Sequence, residues 1–130
     1  MKLEYVGKPG SKGVVLTEIS KKLPGFKVFF STRVAVEKTG PLFVNYGFYG
    51  LSGAVSARRN ICEALGLDFK RLTLGEQVHS VNVAVIKEEN IGAGAENPET
   101  RIPETDALVT SEKNAPIAIC TADCVPILLA

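Results

Sequence analysis

The apolar residues of this chain come in short runs, most of them punctuated by glycine or proline, and that pattern limits the fold to small strands joined by tight turns. Leu3–Val6, Val14–Ile19 and Phe26–Ser31 are β-branched or aromatic stretches separated by Lys8-Pro9-Gly10 and Leu23-Pro24-Gly25. They read as strands. One segment keeps a different period: after Ser52, a suitable N-cap, the residues Ala54, Ala57, Ile61, Cys62 and Leu65 follow helical spacing, and Gly66 is a natural C-cap. The spacing predicts one amphipathic helix over about residues 53–65, with Cys62 on its buried side. Between Gly40 and Gly53, glycines interleaved with Phe43, Tyr46, Phe48 and Tyr49 predict an ordered loop packed on the body.

Further along, Leu72–Leu74, Val81–Ile86, Asp106–Thr110 and Ile117–Cys120 read as strands, and 91–101 as a polar loop that covers a site. Val125–Leu129 is an apolar run without alternation, which predicts a strand buried on both faces. The expected fold class is α/β of the α+β type, with mixed β-sheets and flanking helices.

With 130 residues and 45% hydrophobic content, the chain can bury one core, so one domain or part of one is expected. The 15 Lys and Arg nearly cancel the 14 Asp and Glu, leaving no long-range field to attract nucleic acid or an anionic membrane. No run approaches the ~18 apolar residues that a membrane helix needs. Three cysteines cannot all pair within the chain, and Lys2-Leu3-Glu4-Tyr5-Val6-Gly7 does not resemble a signal peptide. A cytoplasmic location with reduced thiols is the expectation.

His79, the single histidine, is the one side chain whose ordinary pKa lies near neutrality. It shares the parity of Val81, Val83 and Val85, so a strand there would point it to the same face. A half-buried, hydrogen-bonded histidine and a metal ligand both fit that placement. Cys124, between Asp123 and Val125-Pro126, fits either an inert core thiol or a ligand. In an extended segment Cys120 and Cys124 point the same way but lie about 13 Å apart at ~3.3 Å per residue, too far to share one ion. Asp123 and Asp106, acids at strand ends, suit proton transfer or the orienting of a histidine, and equally suit turns. Arg58 and Arg59 open the outer side of the predicted helix, where a guanidinium fork can take a phosphate or simply solvate the surface.

The order of these pieces adds a second line of argument. Phe30-Ser31-Thr32-Arg33, Asn45-Tyr46-Gly47, Ala57-Arg58 ahead of Leu65-Gly66-Leu67, Gln77-Val78-His79-Ser80-Val81-Asn82-Val83, Thr105-Asp106-Ala107-Leu108-Val109-Thr110 and Thr121-Ala122-Asp123-Cys124-Val125-Pro126-Ile127-Leu128-Leu129 follow one another in a way that resembles the laccase-domain family. Its members are also called polyphenol oxidase-like proteins or purine nucleoside phosphorylases. The resemblance implies a zinc-dependent enzyme that phosphorolyses adenosine, inosine, guanosine and methylthioadenosine and deaminates adenosine, with purine nucleosides and phosphate as partners. It assigns His79 and Cys124 to one zinc, with copper as the less favoured metal; with Asp123, read above from its place at a strand end, they make up the expected catalytic group.

In the family a second histidine, in a His-Ala-Gly-Trp-Arg-Gly segment, completes the ligands; this sequence has no such segment. By that comparison residues 1–130 correspond to the N-terminal part of a single laccase-like domain, with a separate chain or self-association supplying the rest. Arg58 matches the family's arginine, although Ala57 stands where an asparagine is usual, and Asn45 and Gly47 survive from a Ser-Leu-Asn-Leu-Gly motif. Arg58 and Asn45 are therefore the expected substrate-binding residues. The alternatives are a thiol hydrolase using Cys124 as nucleophile and His79 as base, a laccase-like polyphenol oxidase, and a non-catalytic remnant.

Overall fold

The computed structural model describes residues 3–6, 13–31, 34–37, 40–43, 53–121 and 123–130. The chain forms two compact units, residues 1–66 with 127–130, and residues 67–126.

In the first unit, β1 (Leu3–Val6), β2 (Gly13–Leu16) and β3 (Phe29–Ser31) form an antiparallel sheet in that order. Its register pairs Leu3 with Leu16 and Val14 with Phe30. A second antiparallel pair joins β4 (Val34–Glu37) to β5 (Gly40–Phe43), so a strand stands where the sequence suggests the start of a loop. The expected strand Val14–Ile19 ends early as well, because Thr17–Lys22 winds into a short helix, α1. Beyond Leu16 the sequence turns polar, and Lys21 and Lys22 fall in the last turn, where the helix dipole favours cations. The Leu23-Pro24-Gly25 turn is as expected: Phe26 N–H donates to Leu23 O (3.0 Å), and Gly25 takes φ +95°, the left-handed position that a type II turn reserves for glycine.

The periodic segment is helical over Gly53–Leu65, α2. Ala54, Ala57, Ile61 and Cys62 are buried, and Gly66 (φ +66°) closes the last turn with its N–H on Glu63 O (3.0 Å). The Lys27 ammonium donates to Leu65 O (2.6 Å), satisfying a carbonyl that the helix leaves open. Arg58 corrects the sequence reading. It is 4% exposed. Position 58 lies four residues from both Ala54 and Cys62, inside the apolar stripe, whereas Arg59 is exposed.

The second unit is built on two short parallel pairs. β6 (Thr73–Leu74) pairs with β9 (Ile117–Ala118), and β7 (Val83–Ile86) with β8 (Ala107–Thr110). Phe69, Leu72, Leu74, Ile86 and Ala95 are buried apolar residues of this unit. Thr73 is buried too, and its hydroxyl accepts the Gly92 N–H (3.0 Å). The stretch after β6 is locked on its other side: Ile102 N–H donates to Leu74 O, Glu76 N–H to Ile102 O, and Thr105 N–H to Glu76 O, at 3.1, 2.8 and 2.9 Å. The polar 91–101 segment contains turns and a 3-10 turn at Pro98–Thr100, and it buries Ala95.

Two apolar surfaces run against expectation. Val83 and Val85 on β7 and Val109 on β8 share one exposed face, although parallel sheets are normally covered on both faces. The run Val125–Leu129 forms no strand, and Val125 and Leu129 are 82% and 93% exposed. An unalternated run needs a neighbour on each side to become a buried strand, and among the described residues none pairs with it. No helix among the described residues is long and apolar enough to cross a membrane.

The tight Leu74–Thr105 connection yields a prediction. A Cβ on Gly75 would lie 2.5 Å from Thr105 O, so Gly75→Ala forces the two segments apart. Urea unfolding of the full chain should register a loss of about 1–3 kcal/mol, the usual size of an overpacking effect. An unchanged midpoint would mean that the close approach is not present.

Candidate functional site

Gln77, Val78, His79 and Ser80 follow the locked stretch and turn around the carboxylate of Asp106, which stands just before β8. His79 N–H donates to Asp106 Oδ1 (2.9 Å); Ser80 N–H (2.9 Å), Ser80 Oγ (2.8 Å) and Val78 N–H (3.3 Å) donate to Oδ2. Consecutive amides aimed at one anion make a nest. Ser80 Oγ in turn accepts the Asn82 N–H (3.1 Å), and Asn82 Nδ2 donates to Glu104 O (2.8 Å). Asn82 O receives the amides of Asp106 and Ala107 at 3.2 and 3.1 Å, which starts the β7–β8 ladder.

This arrangement changes the reading of His79. The expected strand over Val81–Ile86 begins only at Val83, because the Ser80 hydroxyl bonds the amide two residues on and holds the chain in a turn. His79 therefore lies outside the strand, in the left-handed region at φ +58°, and parity with the valines does not apply. For a residue with a Cβ that conformation costs of order 1–2 kcal/mol, and the amide bonds to Asp106 offset it. The imidazole-bearing residue is exposed.

The Asp106 carboxyl is held below its ordinary pKa, chiefly by the Ser80 amide, against an opposing effect of burial, with help from the Ser80 hydroxyl and the amides of Val78 and His79. A depressed acid contributes stability that is present above the ordinary carboxylate pKa and lost as pH falls through the lowered one.

Gln77 joins this turn to the segment after β9. Its Nε2 donates to Cys120 O (2.9 Å), and Cys120 N–H donates to its Oε1 (2.7 Å). The ladder expected to reach Cys120 stops at Ala118, and a side-chain amide bonds the Cys120 backbone instead. Four residues on, Cys124 is exposed beside the exposed Asp123. No disulfide joins the cysteines. Cys62 lies buried in α2, as its place in the stripe suggests.

The second unit thus holds His79, Cys124, Asp123 and Asp106, while Arg58 belongs to the first; Asn45 and the loop aromatics Tyr46, Phe48 and Tyr49 lie outside the described residues. An exposed imidazole and an exposed thiol on one unit are donor types that zinc takes, and both are open to an ion from solvent. Among the described residues no group of three or more His, Cys, Asp or Glu side chains converges. Gln77, Ser80 and Asn82 were not singled out from sequence. The Ser80-x-Asn82 spacing carried a turn signal, but the Gln77 contact spans 43 residues and left no local trace.

The sequence profile described as multi-copper polyphenol oxidoreductase laccase matches residues 27–130. The chain belongs to this laccase family. Purine nucleoside phosphorylase YlmD of Geobacillus stearothermophilus is 33% identical over 101 residues, 75% of this chain and 37% of that protein. Adenosine deaminase RL5, from an unknown prokaryotic organism, is 32% identical over 116 residues, 86% of this chain and 44% of that protein. The crystal structure of Bacillus licheniformis hypothetical protein YfiH superimposes with a TM-score of 0.75 at 21% identity, covering 90% of this chain and 43% of that one. The laccase-domain fold is shared, as the sequence suggested. The chain spans less than half the length of these relatives.

The Asp106 nest predicts a distinctive acid response. Amide signals of Val78, His79 and Ser80 should hold steady through the ordinary carboxylate range and change only at lower pH, and Asp106→Asn should remove that transition and speed exchange of all three amides. A transition at the ordinary aspartate pKa would show that the carboxylate is not held by the turn.

Proposed function

We propose that residues 1–130 are the N-terminal part of a zinc-dependent purine nucleoside enzyme, in which His79 and Cys124 supply two metal ligands and the third comes from outside these residues. The observation that carries this reading is the direct tie, through Gln77 and Cys120, between the turn bearing His79 and the segment leading to Cys124. Relatives named purine nucleoside phosphorylase and adenosine deaminase support the reaction class.

Zinc, when bound, supplies a Lewis acid and lowers the pKa of a coordinated water towards neutrality. Cys124 serves as thiolate and His79 as neutral imidazole. Asp106 keeps the His79 backbone in its left-handed turn and leaves the imidazole turned out to solvent. Asp123, next to the thiolate, is the group placed to hold or pass a proton for the departing purine or the attacking nucleophile. In this proposal Arg58 and Asn45 hold the substrate, with the Arg58 guanidinium taking phosphate.

The exposed valine face of β7 and β8 and the exposed Val125–Leu129 run support a part-domain whose apolar surfaces are covered by further polypeptide.

Two measurements test this. The purified chain should self-associate, bind zinc weakly and release no hypoxanthine from inosine and phosphate; a monodisperse monomer with one tightly held zinc and steady hypoxanthine release would overturn the two-ligand account. In a completed active assembly, Arg58→Lys keeps the charge but loses the fork, and KM for phosphate should rise at least about tenfold, the worth of one charge-assisted hydrogen bond, with little change for the nucleoside. Equal losses for both substrates would remove Arg58 from the phosphate site.

A further inference from the structure

The main-chain ladder between β6 and β9 ends where Leu74 pairs with Ala118. Beyond it the two segments have separate commitments: Gly75 bridges to Ile102, and Glu76 exchanges hydrogen bonds with Ile102 and Thr105. With main-chain pairing finished, the ends carrying His79 and Cys124 would be free to diverge. The Gln77 side chain takes over at that point, donating to Cys120 O at 2.9 Å and accepting from Cys120 N–H at 2.7 Å.

A primary amide holds a donor NH2 and an acceptor carbonyl on one rigid plane, so it can answer both polar groups of one backbone residue, as a strand neighbour would. One hydrogen bond would leave the segments free to swivel; two parallel ones fix distance and orientation together. The contact is partly buried, where such bonds are stronger than in water and a broken one is costlier. From this clamp His79 is two residues away and Cys124 four, spans of at most about 7 and 14 Å, so the clamp bounds how far each residue can stand from it.

We propose that Gln77 is a positioning residue that sets the separation between the His79 turn and the Cys124 segment, an inference that rests on the reading of these two residues as ligands of one metal. The side chain cannot be exchanged for a near relative. Glutamate keeps the acceptor but sets a second oxygen against Cys120 O, methionine keeps the length without either bond, and asparagine is one carbon short.

The test compares the 130-residue chain with its Gln77→Met and Gln77→Glu variants, using Co2+ as the probe. Hydrogen exchange followed by mass spectrometry on peptides spanning Cys120, without metal, reads the clamp. The thiolate-to-cobalt charge-transfer absorption reads ligation by Cys124. Gln77→Met should keep the circular dichroism of the parent, lose protection at Cys120 by at least tenfold, and need roughly 10- to 100-fold more cobalt to reach half of the charge-transfer signal, the usual effect of removing an orienting partner of a ligand. Gln77→Glu retains the bond from Cys120 N–H and should fall between, which preserves the comparison if the methionine variant does not fold.

Unchanged exchange at Cys120 in a folded Gln77→Met variant overturns the clamp. A variant with a lower unfolding midpoint but an unchanged cobalt titration shows a merely structural glutamine and overturns the positioning role. If the parent chain develops no thiolate–cobalt band, or the band survives in His79→Gly unchanged, the shared-metal reading itself fails, and the positioning role with it.

Discussion

A single carboxylate organises the candidate site. Asp106 gathers the amides of Val78, His79 and Ser80 and the hydroxyl of Ser80, and its own amide pairs with Asn82 O. Those bonds decide where the turn stops and where β7 begins, and they hold His79 in a backbone conformation that it would otherwise avoid. The β7–β8 register follows from the same place, because Ala107, the next residue, pairs with Val83. Turn, strand start and candidate ligand therefore share one anchor.

Local patterns in the sequence were reliable wherever a local cause decides the structure. The helix over Gly53–Leu65 came from its apolar period and its closing glycine, and the Pro24-Gly25 turn from the two residues that such a turn prefers. Where competing causes act, the pattern misled. Val14–Ile19 has strand-forming residues at both ends, yet the polar Thr17–Lys22 stretch winds into a helix. Val81 alternates correctly with Val83 and Val85 but is held out of the strand by the Ser80 hydroxyl. Arg58 was read by its charge when its position in the helical stripe was the better guide.

The site was legible in part for a related reason. His79 and Cys124 stand out by residue type, and Asp106 by its place before a strand, but nothing in a linear reading joins Gln77 to Cys120 across 43 residues. Long-range contacts of a side chain with a distant backbone have no period and no spacing rule. The exposed valine face of β7 and β8 is a similar case: the apolar residues announce burial, while the chain itself does not say against what.

The positive φ of His79 also bears on how this position can vary and how it should be probed. A backbone held near +58° disfavours valine, isoleucine and threonine on steric grounds, and it tolerates glycine and asparagine best. Alanine, the habitual choice for deleting a side chain, would keep the steric penalty while discarding the imidazole, so any defect would mix backbone strain with lost ligation. Glycine separates the two, since it occupies this conformation without penalty and removes only the imidazole. Imidazole added from solution reaches this exposed position, which turns a feature of the main chain into a route for chemical complementation.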